Sequence, residues 1–165
     1  MTTSPPAFSC TKFGIIHATA RQYAREMAET TVYEAVGGLP FFVALVDHFY
    51  DGVAADPALL ALYPQPEDLG PARRRLALFL AQYWGGPTTY SDERGHPRLR
   101  ARHLPFAIGA AERDRWLRHM RSAVEVMAPA PEIADALLAY FEQAATAMMN
   151  TGLTITVPGR TGPNP

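Results

Sequence analysis

The chain has 165 residues, 48% of them hydrophobic and 19% charged, with a net charge of −1. That length suits one domain around a single core, and the near-neutral balance argues against a nucleic-acid-binding surface. The single cysteine, Cys10, excludes an intrachain disulfide and a cysteine-based metal site. No apolar run approaches the ~20 residues of a membrane span. No basic start followed by an apolar core marks a secretory signal, so the sequence predicts a cytoplasmic protein.

In chain order, residues 1–30 read as an N-terminal extension. Pro5, Pro6 and Gly14 break its first half, and Ala20, Tyr23, Ala24 and Met27 recur at helical spacing over Thr19–Thr30. From Thr31 a short helix runs to Val36 and stops at Gly37-Gly38. Pro40 then opens a helix reaching Ala54, with Phe42, Leu45, Val46, Phe49 and Val53 as its buried stripe. Asp56-Pro57 caps a further helical turn that ends near Tyr63-Pro64.

Pro71 starts the next helix, on which Leu76, Phe79, Leu80 and Tyr83 share a face and Arg73-Arg74-Arg75 read as a solvated run. Gly85-Gly86-Pro87 ends it. Thr88 to Gly95 reads as a polar connection. After the stretch Gly95–Phe106, Ala110 begins a long helix with Trp116, Met120, Ala123, Val124 and Met127 on one side. A last helix, Glu132 to about Asn150, carries Ile133, Leu137, Tyr140, Phe141, Ala144 and Met148. Residues 151–165 are a Gly/Pro-rich tail whose Leu153–Val157 alternation is too isolated to hold a strand. The pattern predicts an all-α domain over residues 31–150, with one helical pair on each side of the 95–106 stretch.

That stretch packs His96, His103 and three of the chain's arginines between Pro97 and Pro105 or beside them. The prolines confine any helix here to a short one ending at His103. An all-α domain of this size can hold a flat apolar cofactor between its helices, given an apolar lining, a few polar groups and an axial ligand. Phe49, Leu76, Phe79 and Met120 are candidate walls. His103 is a candidate iron ligand, with its second ring nitrogen held by a hydrogen bond. Arg102 is a candidate partner for a cofactor carboxylate, as is Arg75. Tyr50, Tyr63 and Trp116 each combine an apolar body with one donor that needs a partner when buried. Spacing alone leaves two readings open throughout: His103 as ligand or as a satisfied structural histidine, and the three aromatics as site residues or as ordinary core.

The ordered set Tyr33-Glu34-Ala35-Val36-Gly37-Gly38, His48-Phe49-Tyr50, Leu62-Tyr63-Pro64, Gln82 to Ser91, Arg94 to Phe106 and Glu112 to Leu117 resembles the truncated haemoglobins of group II. The resemblance covers about Thr31 to Asn150. It implies a two-over-two helical sandwich around haem b, with His103 as the proximal iron ligand. It implies that Tyr50, Tyr63 and Trp116 form a distal polar cluster, that Ala72 occupies the distal-helix position where larger globins usually carry histidine, and that Leu76 and Phe79 face the haem. Arg75, Tyr83, His96 and Arg102 match positions near the haem or its propionates.

Three functions follow as expectations. The first is binding of O2 and other small diatomic ligands with slow O2 release. The second is oxidoreductase chemistry, peroxidase-like or nitric-oxide detoxifying, which needs a separate reductase because no flavin or nicotinamide motif is present. The third is a haem-free helical interaction module. A homodimer is an expectation on the partner side; neither a nucleic acid nor a membrane is.

Overall fold

The structure, a computed structural model, describes residues 30–151. The expected helix over Thr19–Thr30, apart from Thr30 itself, and the tail beyond Thr151 lie outside the described residues. Eight helices are present among those described: α1 (Val32–Ala35), α2 (Leu39–Ala54), α3 (Pro57–Leu60), α4 (Gly70–Tyr83), α5 (Thr89–Arg94), α6 (Leu99–His103), α7 (Ala110–Met127) and α8 (Pro131–Met148). There is no strand among the described residues.

The entry to the domain is set by local chemistry. Thr31 and Glu34 form a reciprocal capping box around α1: Glu34 N–H donates to Thr31 Oγ1 at 3.2 Å, and Thr31 N–H donates to Glu34 Oε2 at 3.0 Å. Gly37 and Gly38 follow at φ 87° and 81°, a left-handed turn that a side chain would strain. The chain thereby reverses into α2, and Tyr33 stacks on Phe42 with the ring planes 7° apart.

α2 is the central element. It lies against α4 on one side and α7 on the other, and α7 pairs with α8. Phe42, Leu45, Val46, Phe49 and Val53 are at most 1% exposed. Full burial of each such side chain stabilises by about 1.5–3 kcal/mol, so the stripe fixes α2 by hydrophobic burial rather than by helix propensity. The α2/α4 and α7/α8 pairs make the two-over-two sandwich, and the short α5 and α6 fill the span between them.

One expectation is corrected. Thr88–Gly95 is not merely a polar connection but holds α5. Its six residues are too few to show an apolar period, and tertiary contacts stabilise the turn instead. Tyr90 is buried with its ring 5.4 Å from that of Phe79. Gln82 brackets Ser91, accepting from its N–H at 3.0 Å and donating to its hydroxyl at 2.6 Å. Thr88 bonds Asp92, and Arg74 grips Glu93 through both guanidinium nitrogens. The arginine run is therefore not one solvated face: Arg74 holds α5, while Arg73 reaches back to Asp47 and Asp51 on α2.

Candidate functional site

A cavity of about 630 Å³ opens between α4, α6, α7 and α8, with the 59–64 segment closing one side. Its walls are mostly apolar: Leu59, Leu62, Leu76, Phe79, Phe106, Ile108, Phe141 and Met148 all line it. Small residues on α8, Ala144 and Ala145, leave the room that larger ones would fill. The size falls within the roughly 300–1,000 Å³ of sites that enclose an organic cofactor or ligand.

His103 lines this cavity from the end of α6. The short helix is placed by the residues before it. Pro97 restricts the chain, Arg98 takes a left-handed conformation (φ 43°), and Arg98 N–H donates to His96 Nδ1 at 3.1 Å. Within α6, His103 Nδ1 lies 2.6 Å from Leu99 O. A carbonyl can only accept, so the proton sits on Nδ1. In the neutral ring Nε2 then carries the lone pair, and it has no hydrogen-bond partner among the described residues, the arrangement an imidazole needs to bind a metal. Asn150 holds the chain just beyond, its Nδ2 donating to His103 O at 3.1 Å and Phe106 O at 2.7 Å while its Oδ1 accepts from Ile108 N–H at 3.0 Å.

Tyr50, Tyr63 and Trp116 line the same cavity. The two tyrosine rings meet edge to face at 5.6 Å, and Phe49 lies behind the group, 4.9 Å from Tyr50 and 5.2 Å from Trp116. Burial pushes the Tyr50 phenol above its usual range. The neighbouring Tyr63 hydroxyl, and the positive Arg75 and Arg73, pull the other way without prevailing. Burial also pushes Tyr63 well above that range, and the neighbouring Tyr50 adds to the effect. Both phenols therefore keep their protons at neutral pH. The Trp116 indole N–H has no hydrogen-bond partner among the described residues. Arg73 sits over the Tyr50 ring with its guanidinium carbon 5.6 Å from the centroid.

The remaining expected residues divide. Ala72, Leu76, Phe79, Arg75 and Arg102 line the cavity. Arg102 already donates from Nε to Pro97 O at 2.8 Å and from one terminal nitrogen to Arg94 O at 3.2 Å, and its other terminal nitrogen has no hydrogen-bond partner among the described residues. Tyr83 and His96 lie instead on an adjoining cleft of about 490 Å³ that shares Phe79, Leu99, Tyr140, Ala144 and Met148 with the cavity. His96 spends Nδ1 on the Arg98 backbone, which makes it a brace for α6. Phe49 and Met120, both 0% exposed, stand behind the lining rather than in it. The α8 face was readable only as a core stripe, yet Tyr140, Phe141, Ala144 and Met148 all reach the cavity. Asn150 gave no sequence signal at all.

These features fit a flat iron macrocycle: an apolar slot, one imidazole with a free nitrogen, and arginines in the lining that suit a cofactor's carboxylates. Comparison with known proteins points the same way. The family model of the bacterial-like globins matches residues 31–150. The group 2 truncated haemoglobin YjbI of Bacillus subtilis (strain 168) is 42% identical over 118 residues, covering 72% of this chain and 87% of that protein. The crystal structure of a thermostable haemoglobin from the actinobacterium Thermobifida fusca is 59% identical, covers 74% of this chain and 98% of its own, and superposes with a TM-score of 0.72. A truncated oxygen-avid haemoglobin from Bacillus subtilis is 41% identical, covers 73% and 100% of the respective chains, and gives 0.69. The chain belongs to the bacterial-like globins, among the group II truncated haemoglobins, and is a haem protein that binds small gaseous ligands.

Proposed function

We propose that this protein holds haem b through His103 Nε2 and binds O2 with slow release, governed by Tyr50, Tyr63 and Trp116. The observation that carries the reading is the set of three donor side chains converging on the cavity that His103 also lines, the Tyr50 and Tyr63 phenols kept protonated and the indole N–H unpartnered. The b-type assignment is supported by the sequence: with Cys10 as its one cysteine, residues 31–150 offer no thiol for covalent attachment. The iron, when bound, supplies the coordination position that takes a diatomic ligand.

The protein residues decide how long that ligand stays. A ligand carrying partial negative charge is stabilised by donors already aimed at it. Tyr50, Tyr63 and Trp116 each offer such a donor from the cavity wall. A hydrogen bond to a charged group contributes about 1.5–3 kcal/mol, so each donor is worth about a tenfold to a hundredfold in release rate. The oxygen-avid relative from Bacillus subtilis agrees with this direction. Arg75 and Arg102 hold the cofactor carboxylates, and residues 31–150 form the whole globin domain.

Stopped-flow O2 release from the wild type and from Trp116→Phe, Tyr50→Phe and Tyr63→Phe tests the reading. Trp116→Phe and Tyr50→Phe are expected to accelerate release at least tenfold; unchanged rates in both would end the donor account. A second reading, peroxide-driven oxidation with electrons from a separate donor, draws on one observation. Tyr140 lines the cavity and lies 4.1 Å, centroid to centroid, from Tyr83, which is 54% exposed. Peroxide turnover faster than O2 release would favour it.

A further inference from the structure

Outside the cavity, one carboxylate is tied to a second helix as well as its own. Asp56 is 7% exposed, the only buried charged side chain among the described residues. Its Oδ1 accepts from Leu59 N–H at 3.3 Å and so caps α3. Arg115 Nη1 lies 3.1 and 3.2 Å from the two carboxylate oxygens, and His119 Nε2 lies 3.2 Å from Oδ2. Arg115 directly precedes Trp116 on α7, and His119 follows it by three residues. The carboxylate therefore fastens the start of α3 to the helix that presents Trp116.

From Asp56 the backbone runs to Tyr63 through consecutive hydrogen bonds. Leu60 N–H donates to Asp56 O at 2.8 Å, Ala61 N–H to Pro57 O at 3.1 Å, Leu62 N–H to Leu59 O at 3.1 Å, and Tyr63 N–H to Leu60 O at 3.0 Å. A shift at residue 56 is thus carried to residue 63. The third element is α2. A Cβ built on Gly52 would lie 2.9 Å from His119 Cγ, so His119 reaches Asp56 only because residue 52 has no side chain.

A buried ion pair of this kind adds little net stability over an apolar replacement, but its partners demand one geometry. Its position between Tyr63 and Trp116 gives that geometry a use. We propose that Asp56 is a positioning residue for the distal donors: held by Arg115 and His119, it fixes the Tyr63-bearing turn against α7 and so aligns the Tyr63–Tyr50 pair with Trp116. The inference rests on the ligand-binding function proposed above.

The test is a double-mutant cycle on O2 release from the haem-loaded protein, with Asp56→Ala, Tyr63→Phe and the two combined. Tyr63→Phe is expected to speed release about tenfold, as for one lost donor. Asp56→Ala is expected to speed it by about threefold or more in the wild-type background. In the Tyr63→Phe background its effect falls below about twofold, because no hydroxyl is left to place. Asp56→Asn, which keeps both the cap and an acceptor, is expected to remain within about twofold of wild type. The stretching band of bound CO, which reports the donor field without turnover, is expected to shift in Asp56→Ala and return in Asp56→Asn. Gly52→Ala displaces His119 and serves in the same cycle should Asp56→Ala not fold. Equal acceleration by Asp56→Ala in both backgrounds, or none in wild type, overturns the proposal alone. No effect of Tyr63→Phe overturns the donor role of Tyr63, and the proposal with it.

Discussion

Asn150→Ala is expected to loosen the cofactor without touching the cavity wall. The Asn150 side chain makes three hydrogen bonds to the segment after α6: two donated to His103 O and Phe106 O, and one accepted from Ile108 N–H. Alanine removes all three and keeps the backbone bonds from Asn150 N–H and Thr151 N–H to Ile108 O at 2.9 and 3.2 Å. At about 0.5–1.5 kcal/mol net per bond, and with these groups only half-buried, the loss comes to about 2–3 kcal/mol. The cost falls on one local opening, that of the 103–108 segment, rather than on the whole domain. At 1.4 kcal/mol per decade, the open form then becomes about 30 to 150 times more populated. Haem loss to an excess of apomyoglobin, followed at the Soret band, reads that population because the proposed iron ligand moves with the segment. A rate within twofold of wild type would refute the reasoning, even if the melting temperature fell.

Two further predictions concern the distal side and acid. Ala72 lines the cavity with a single methyl group, so Ala72→Phe is expected to narrow the approach along α4 and slow O2 and CO binding by tenfold or more; an unchanged association rate by flash photolysis would place the route elsewhere. His119, then Arg115, hold the Asp56 carboxyl at about 2, against 3.8 for the free group. A depressed folded value contributes stability that is full above about pH 4 and is lost as pH falls toward 2. Asp56→Asn should therefore flatten the pH dependence of urea stability between pH 4 and 2, and a slope equal to wild type would contradict this.

The helical frame was legible because its signals are local. Apolar residues at a 3.6 period marked α2, α7 and α8, and glycine pairs and prolines marked their ends. α5 was not legible, since TYSDER has one inward residue, Tyr90, and its stability comes from Gln82, Arg74 and Phe79 far along the chain. The cavity wall on α8 was hidden for a different reason. A helix facing a flat cofactor buries the same stripe as a helix facing another helix, so Tyr140, Phe141 and Met148 read as core.

The converse holds for Phe49 and Met120. Both were candidate walls, and both sit one layer back, supporting Tyr50 and Trp116 or filling the α2/α7 contact. His103 stood out because two prolines isolate it on a short helix, but the tautomer that frees Nε2 depends on the 2.6 Å approach to Leu99 O, which only the folded turn supplies. Asp56 was readable as a helix cap. Its partners Arg115 and His119, 59 and 63 residues away, were not.

The central claim is that His103 ties the cofactor to this chain. The visible spectrum of the haem-loaded protein, wild type against His103→Gly with and without added imidazole, tests it most directly. The account predicts that His103→Gly loses the wild-type ferrous spectrum and that imidazole restores it by occupying the space of the missing ring. A His103→Gly spectrum identical to wild type would contradict it.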